Sequence, residues 1–243
     1  MENTAGNYED AIEVLEEARV MIASFQEYYT AAASDEELLI VSRPKIKSAL
    51  ESIRSALEYT AQDIWKSYSR KQNSVYFPYG VDDKEFRKSL KRNLPGLAEQ
   101  SPVLFSLLES IQPHISGKHW LPELCALSNF NKHNGLTKQV RKNSPGNTVK
   151  IGSLVQLSNS ENVVITGSFG GVELGKNGPV KLGNSMTTEQ IRSQINESFQ
   201  ISREFDWVEF HYDGSGSDLL AMLKMAHSEV SVFVEKVREH LLN

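Results

Sequence analysis

One cysteine, Cys125, stands among 243 residues. That excludes an internal disulfide and fits a reducing cytoplasm, the expected location. No apolar run approaches the ~20 residues of a membrane span, so no membrane partner is expected. The acidic opening MENTAGNYEDAIEV lacks a basic region followed by an apolar core, and no signal peptide is expected. Signatures of known chemistry are scarce too. There is no HExxH, no paired CxxC and no carboxylate-rich calcium loop. The stretch Gly167 to Gly171, GSFGG, lacks the Lys-Ser/Thr of a phosphate-binding loop and reads as a β-turn. Repeats and low-complexity segments are absent as well.

What is present is an ordinary globular composition, 40% apolar and 23% charged with a net charge of -5, which argues against a uniformly cationic nucleic-acid coat. The charge is unevenly placed. Residues 1–41 carry ten acidic side chains and one basic, Arg19, whereas residues 66–92 carry eight basic and three acidic, and residues 114–150 six basic and one acidic. A cationic middle between acidic ends is either a set of solvated faces or a docking patch for an anionic partner.

Hydrophobic periodicity predicts long helices. Ile12, Leu15, Ile22, Phe25 and Tyr29 repeat at helical spacing between Tyr8 and Tyr29, and Ala31 to Glu37 reads as a loop or a frayed helix end. A second helix starts near Ser42, with Pro44 in its first turn and the stripe Ile46, Leu50, Ile53, Leu57 and Ile64. Pro78 breaks the period in Lys71 to Gly80. Short helices follow at Asp82 to Leu90 and from Ser101 until Pro113, and a third main helix runs from Lys118 to His133. Lys138 to Asn147 reads as a polar connector. From Thr148 to Tyr212 the pattern is β, with a short helix at Thr187 to Ser193 and a small antiparallel sheet of about four strands. Asp213 to Ser217 is a cap-and-turn cluster before a last helix with the stripe Leu219, Leu223, His227, Val230, Val234, Val237 and Leu241. The expected fold is α+β: a mainly α-helical up-and-down bundle of about four long helices, with a small antiparallel β insertion before the last helix. Residues 1–137 supply the first part of the bundle, 138–213 the β-rich insertion, and 214–243 the helix completing the bundle.

The most chemistry-capable stretch is Leu121 to Leu136, LPELCALSNFNKHNGL. Cys125, Asn129 and His133 share one ridge, with Ser128 and Lys132 on the next. His133, near a helix end and beside Lys132, could grip phosphate or serve as general acid; equally, Asn129 and His133 could bond loop carbonyls and close the helix. Cys125 and His133 lie roughly 12 Å apart along the axis, too far for a thiol–imidazole pair. His114, His119 and His133, with Glu123 nearby, are the only grouping that approaches a metal set, and neither a metal nor a cofactor is expected. His227 reads as a satisfied core histidine. Arg54 flanks the apolar stripe of the second helix and can pair with Glu58. If the second and third main helices pack antiparallel, Arg54 approaches Asn129 and His133 and makes a phosphate site.

Four segments, Ile53 to Tyr59, Tyr76 to Tyr79, Ile111 to His114 and Leu124 to His133, resemble a family of uncharacterised bacterial and phage-borne proteins with an RSALD helix, an FP loop, a QP turn and a helix ending N-x-x-KH. The likeness covers residues 46–136. More distantly, a helical bundle with a polar His ending its third helix resembles the HEPN superfamily, whose members are usually dimeric and often ribonucleases of toxin–antitoxin and phage-defence systems. In their Arg-x(4–6)-His motif, the Arg position at the shortest spacing is Ser128 here, and the longer spacings give Leu127 and Ala126. The resemblance implies a homodimer with RNA or another protein as partner. The leading expectation is a binding or regulatory module with the end of the third main helix as its recognition site. The enzyme alternative is a metal-independent ribonuclease: His133 as acid/base, Lys132 and Arg54 holding phosphate, Asn129 orienting the imidazole. A non-catalytic scaffold is the third reading.

Overall fold

The computed structural model describes residues 7–212 and 216–243; Met1 to Gly6 and Asp213 to Ser215, part of the expected turn cluster, lie outside the described residues. In chain order the helices are α1 (Tyr8–Ser34), α2 (Arg43–Tyr68), α3 (Asp83–Asn93), α4 (Leu97–Gln100), α5 (Pro102–Ser110), α6 (Pro113–Ser116) and α7 (Trp120–His133). The strands β1 (Gln139–Asn143), β2 (Asn147–Ile151), β3 (Val155–Ser158), β4 (Val163–Ile165), β5 (Ser168–Phe169), β6 (Val172–Glu173) and β7 (Val180–Leu182) come next. Then follow α8 (Thr188–Arg192), β8 (Ile201–Phe205), β9 (Val208–Tyr212) and α9 (Leu219–Leu242). The chain is therefore α+β and mainly helical, with small antiparallel sheets. Among the described residues no helix is long and apolar enough to cross a membrane.

The residues divide into two compact units. Of the described residues, one unit contains 7–25, 42–138, 212 and 216–243, the other 26–41 and 139–211. In the first unit the α2 stripe Ile46, Leu50, Ile53, Leu57 and Ile64 is fully buried. The expected stripe of α1 is buried at Leu15, Ile22, Phe25 and Tyr29; Ile12 is only half-buried, and Ala11 and Ala18 complete the buried face. Small alanines let a neighbouring helix approach, a role that a search for large apolar residues overlooks. On α9 the expected stripe is buried except at His227, whose ring Nε2 pairs with the Leu15 carbonyl at 3.0 Å, and Leu241, which is half-buried. Helix starts are set by caps: Asp82 accepts from the Glu85 amide at 2.8 Å and Asp218 from the Ala221 amide at 2.9 Å. Pro113 does end the Ser101 helix, and it also opens α6.

The second unit departs more from the sequence reading. Nine short strands form a three-stranded sheet, β3-β2-β8, and three two-stranded pairs, β1-β9, β4-β7 and β5-β6. In the central strand, Val149 faces Leu157 and Arg203, and Ile151 faces Val155 and Ile201. Its alternating burial seeds a core of Val149, Ile151, Leu174, Val180, Leu182, Ile191 and Ile195. Residues 138–147 are no mere connector, because β1 pairs with β9. GSFGG is the expected turn: Gly170 and Gly171, at φ 62 and 80, close the Phe169–Val172 pair of a hairpin, a two-residue turn that demands left-handed backbone.

Residues 26–41 belong with this unit, for polar reasons. Of the two readings for the stretch from Ala31, a loop or a helix end, the helix end holds, since α1 continues to Ser34. Carbonyls at and just past that end accept from Arg141, whose guanidinium donates to Asp35 at 2.7 Å, Leu38 at 2.9 Å and Ala32 at 2.8 Å. Gln139 donates to the Val41 carbonyl at 3.2 Å and accepts from its amide at 3.0 Å, while Tyr29 meets Phe210 edge-on at 5.0 Å. Unpaired helix-end carbonyls need such donors. Arg141→Ala is expected to destabilise the protein by roughly 1.5–3 kcal/mol, the contribution of hydrogen bonds from a charged donor, seen as a lower urea midpoint. An unchanged midpoint would show that the Arg141 bonds contribute nothing.

Candidate functional site

The ridge of α7 passes from buried to exposed. Cys125 and Ser128 are buried, while Asn129, Lys132 and His133 are exposed. Neither Asn129 nor His133 closes the helix. Asn131 does so: its side-chain oxygen accepts from the Thr137 amide and hydroxyl, both at 2.8 Å, folding the chain back after Gly135. His133 has no hydrogen bond or ion pair among the described residues.

Arg54 lies where α2 and α7 meet. Arg43, at the start of α2, reaches the Leu136 carbonyl just past α7 at 3.5 Å, and Arg54, midway along α2, sits close enough to Cys125 to oppose the rise of its pKa. The two helices are therefore antiparallel, as the phosphate-site expectation required. Arg54 Nε donates to Glu58 at 2.8 Å, and the other Glu58 oxygen accepts from the Phe77 amide at 2.6 Å. One carboxylate thus ties helix and loop together. Further bonds fix the loop: Gln62 to the Val75 carbonyl at 2.6 Å, Trp65 to the Lys71 carbonyl at 2.9 Å, and fully buried Gln112 to the Pro78 carbonyl at 3.2 Å. Phe77 is buried edge-on against Phe233 at 5.7 Å, so Pro78 turns the chain over a fixed anchor. That geometry lays the Tyr79 ring against the Arg54 guanidinium, 5.3 Å from centroid to cation. Burial raises the pKa of the Tyr79 hydroxyl; Arg54 and Asn129, both within its reach, oppose the rise. Arg54 and Asn129 are thereby brought to one tyrosine.

Arg54 keeps 17% of its side chain exposed, yet its Nη1 is buried with no hydrogen-bond partner. It borders a cleft of ≈ 500 Å³ lined by Tyr76, Phe77 and Tyr79 on the loop and by Glu85, Lys88, Ser89, Arg92 and Asn93 on α3. Lys88 and Arg92 are one turn apart, exposed, and without an ion pair among the described residues. Glu85, the only acidic member, turns toward the Val81 amide at 3.4 Å. The cleft is cationic with an aromatic wall. No protein-family model, curated protein or solved structure matches the chain.

Of the four residues singled out from sequence, Arg54 lines the cleft, Asn129 reaches it through Tyr79, and Lys132 and His133 are not among its lining residues. Lys88, Arg92, Tyr76 and Tyr79 were missed as site residues, although the excess of positive charge over residues 66–92 was the signal that contained them. The histidine grouping does not form either. His114 packs against Asp83 and Glu109, and His119 caps α7. His211, which had no visible partner in the sequence, is paired with Glu209 at 2.7 Å.

Cys125 carries no chemistry of its own. Full burial pushes its thiol up to about 12, with Glu58 reinforcing and Arg54 opposing the shift, so the reactive thiolate is nearly absent at neutral pH. The folded protein is expected to leave its thiol unmodified by a disulfide reagent at pH 8, with one equivalent reacting after denaturation. Prompt reaction of the native protein would contradict this burial.

Proposed function

We propose that this chain is a non-catalytic binding module of HEPN-like, helical-bundle architecture that holds the phosphates of a single-stranded RNA in the cleft beside Arg54. The supporting observation is the Arg54 guanidinium itself: fixed by Glu58 and Tyr79, with its buried Nη1 uncommitted, and sharing the cleft with two cations that make no ion pair among the described residues. Phosphate supplies both the acceptor and the negative charge this arrangement is missing. The exposed Tyr76, at 57%, offers a ring face on which an unpaired base stacks, and cationic grooves with such faces suit single strands. Phe130, 45% exposed beside Asn129, supports a second copy docking at the end of α7, as a homodimer requires. A role in phage defence or in a toxin–antitoxin pair rests on the resemblance alone.

The test is fluorescence anisotropy with a labelled ten-nucleotide RNA across a salt series. The exposed pair Lys88→Ala and Arg92→Ala leaves the core intact. It is expected to weaken binding about tenfold and to lower the salt slope by about 1–2. Wild-type protein that fails to bind, or a double variant that binds equally well, would sink the proposal.

A second reading is favoured by one feature: His133 is exposed and unbonded, one turn beyond Asn129, and so is available to exchange a proton with a bound strand. In that reading it cleaves RNA without metal, Lys132 and Arg54 holding phosphate. Incubating RNA with wild type and with His133→Ala decides the matter, since equal product from both, or none from either, removes catalysis and leaves the binding module.

A further inference from the structure

We propose that Asp83, Glu109 and His114 form a binding site for a divalent transition-metal ion, of which zinc is the preferred example. The three come from the start of α3, the end of α5 and α6, and one ligand atom from each lies within 4.8 Å of the others. The chain meets here through tertiary packing, not through a local motif. The His114 ring is set against Phe86, with centroids 5.4 Å apart. Its Nε2 is 3.4 Å from Asp83 Oδ1 and 3.6 Å from Glu109 Oε1, yet neither approach is a hydrogen bond: both ring nitrogens are buried without a partner.

These separations have a simple reading. Donors about 2.0–2.1 Å from a tetrahedral zinc ion stand roughly 3.3–3.4 Å from one another. The two separations from His114 Nε2 already match that spacing, and the two carboxylate oxygens, within 4.8 Å of each other, draw together to close on an ion. One imidazole and two carboxylates make a donor set that zinc accepts, and zinc outcompetes manganese and iron(II) at such sites. Water fills the fourth position.

Arg87 must be accounted for, because it already holds both acids, donating to Asp83 Oδ1 at 2.9 Å and to Glu109 Oε1 at 2.6 Å. A carboxylate has lone pairs enough to accept from arginine and to ligate as well. One guanidinium against two carboxylates leaves the group net negative before an ion enters. An ion-pair network centred on Arg87 explains the two acids, but it leaves His114 unsatisfied, whereas a metal satisfies Nε2. Asp83 keeps 56% of its side chain exposed, which gives an ion its route in.

The experiment is titration of the full chain with zinc(II) against a chromophoric chelator, repeated with cobalt(II) to read its visible bands. Wild type is expected to take one ion per chain and to give the intense bands of a tetrahedral cobalt site. Asp83→Asn, at an exposed position, and His114→Gln are each expected to weaken binding at least about tenfold and to remove those bands. Circular dichroism checks that each variant is folded, and Asp83→Asn alone decides if His114→Gln is not. Absence of binding by wild type at 100-fold excess zinc, or unchanged affinity and stoichiometry in the folded variants, overturns the proposal.

Discussion

A guanidinium placed in the seam between two helices must be neutralised and must find acceptors for its N–H groups, and Arg54 achieves the first far better than the second. Burial works against its charge, but the Glu58 carboxylate favours the cation by hydrogen bond and by charge, and its pKa is raised. Glu58 provides the one ion pair and at the same time holds the Phe77 amide. The loop's position, the tilt of Tyr79 and the shape of the cleft all depend on that carboxylate. Two roles on one residue make the arrangement rigid: the oxygen that neutralises Arg54 cannot turn away without releasing the loop. A buried N–H left unmatched in so constrained a setting costs about 1–3 kcal/mol, and a ligand that matches it recovers that cost.

Three of the four sequence segments singled out above also acquire physical meanings. Arg54 and Glu58 are the pair just described. Phe77 and Pro78 are the anchor and the turn over it. Gln112 is the fully buried amide that receives the Gly80 N–H at 3.4 Å and donates to the Pro78 carbonyl. All of these converge on the loop that walls the cleft. A pattern scattered over sixty residues is therefore one local structure in space, and its polar members are explained by satisfaction of backbone groups before any ligand is invoked.

How much of this was legible differs by element. The stripes of α2 and α9 were plain because large aliphatic residues recur at helical spacing over about five and six turns. Arg54 was visible as an arginine beside a core stripe. Lys88 and Arg92 could be seen only as part of a basic stretch, since nothing in sequence tells which cations meet an aromatic loop and which simply face water. The β unit was the least legible. Strands such as Ser168–Phe169 and Val172–Glu173 are two residues long, too short for alternation to register, and β1, QVRKN, contains one apolar residue. Its pairing is decided by a remote partner, and the carbonyls that Arg141 satisfies at the end of α1 lie about a hundred residues away in sequence. The trio around His114 was hidden for the same reason: Asp83 and Glu109 carry no spacing that links them to a histidine.

The helix that joins these observations is α3. Within eleven residues it presents three ridges, each a pair four apart. Phe86 and Leu90 face the core, Asp83 and Arg87 meet Glu109 and His114, and Lys88 and Arg92 line the cleft. Residues four apart on a helix stack on one face, so the three functions do not compete for surface. They are nonetheless mechanically coupled, because a short helix moves as one body. Whatever secures Asp83 and Arg87 against α5 and α6 also fixes the height of Lys88 and Arg92 above Arg54. The core ridge sets how deeply α3 sits, and the ionic ridge sets its rotation. The cationic ridge receives both constraints without supplying any, since its two side chains hold nothing within the described structure. A helix whose other two faces are committed to the fold, and whose third carries unpaired charge beside a fixed arginine, has its one spare face on the cleft.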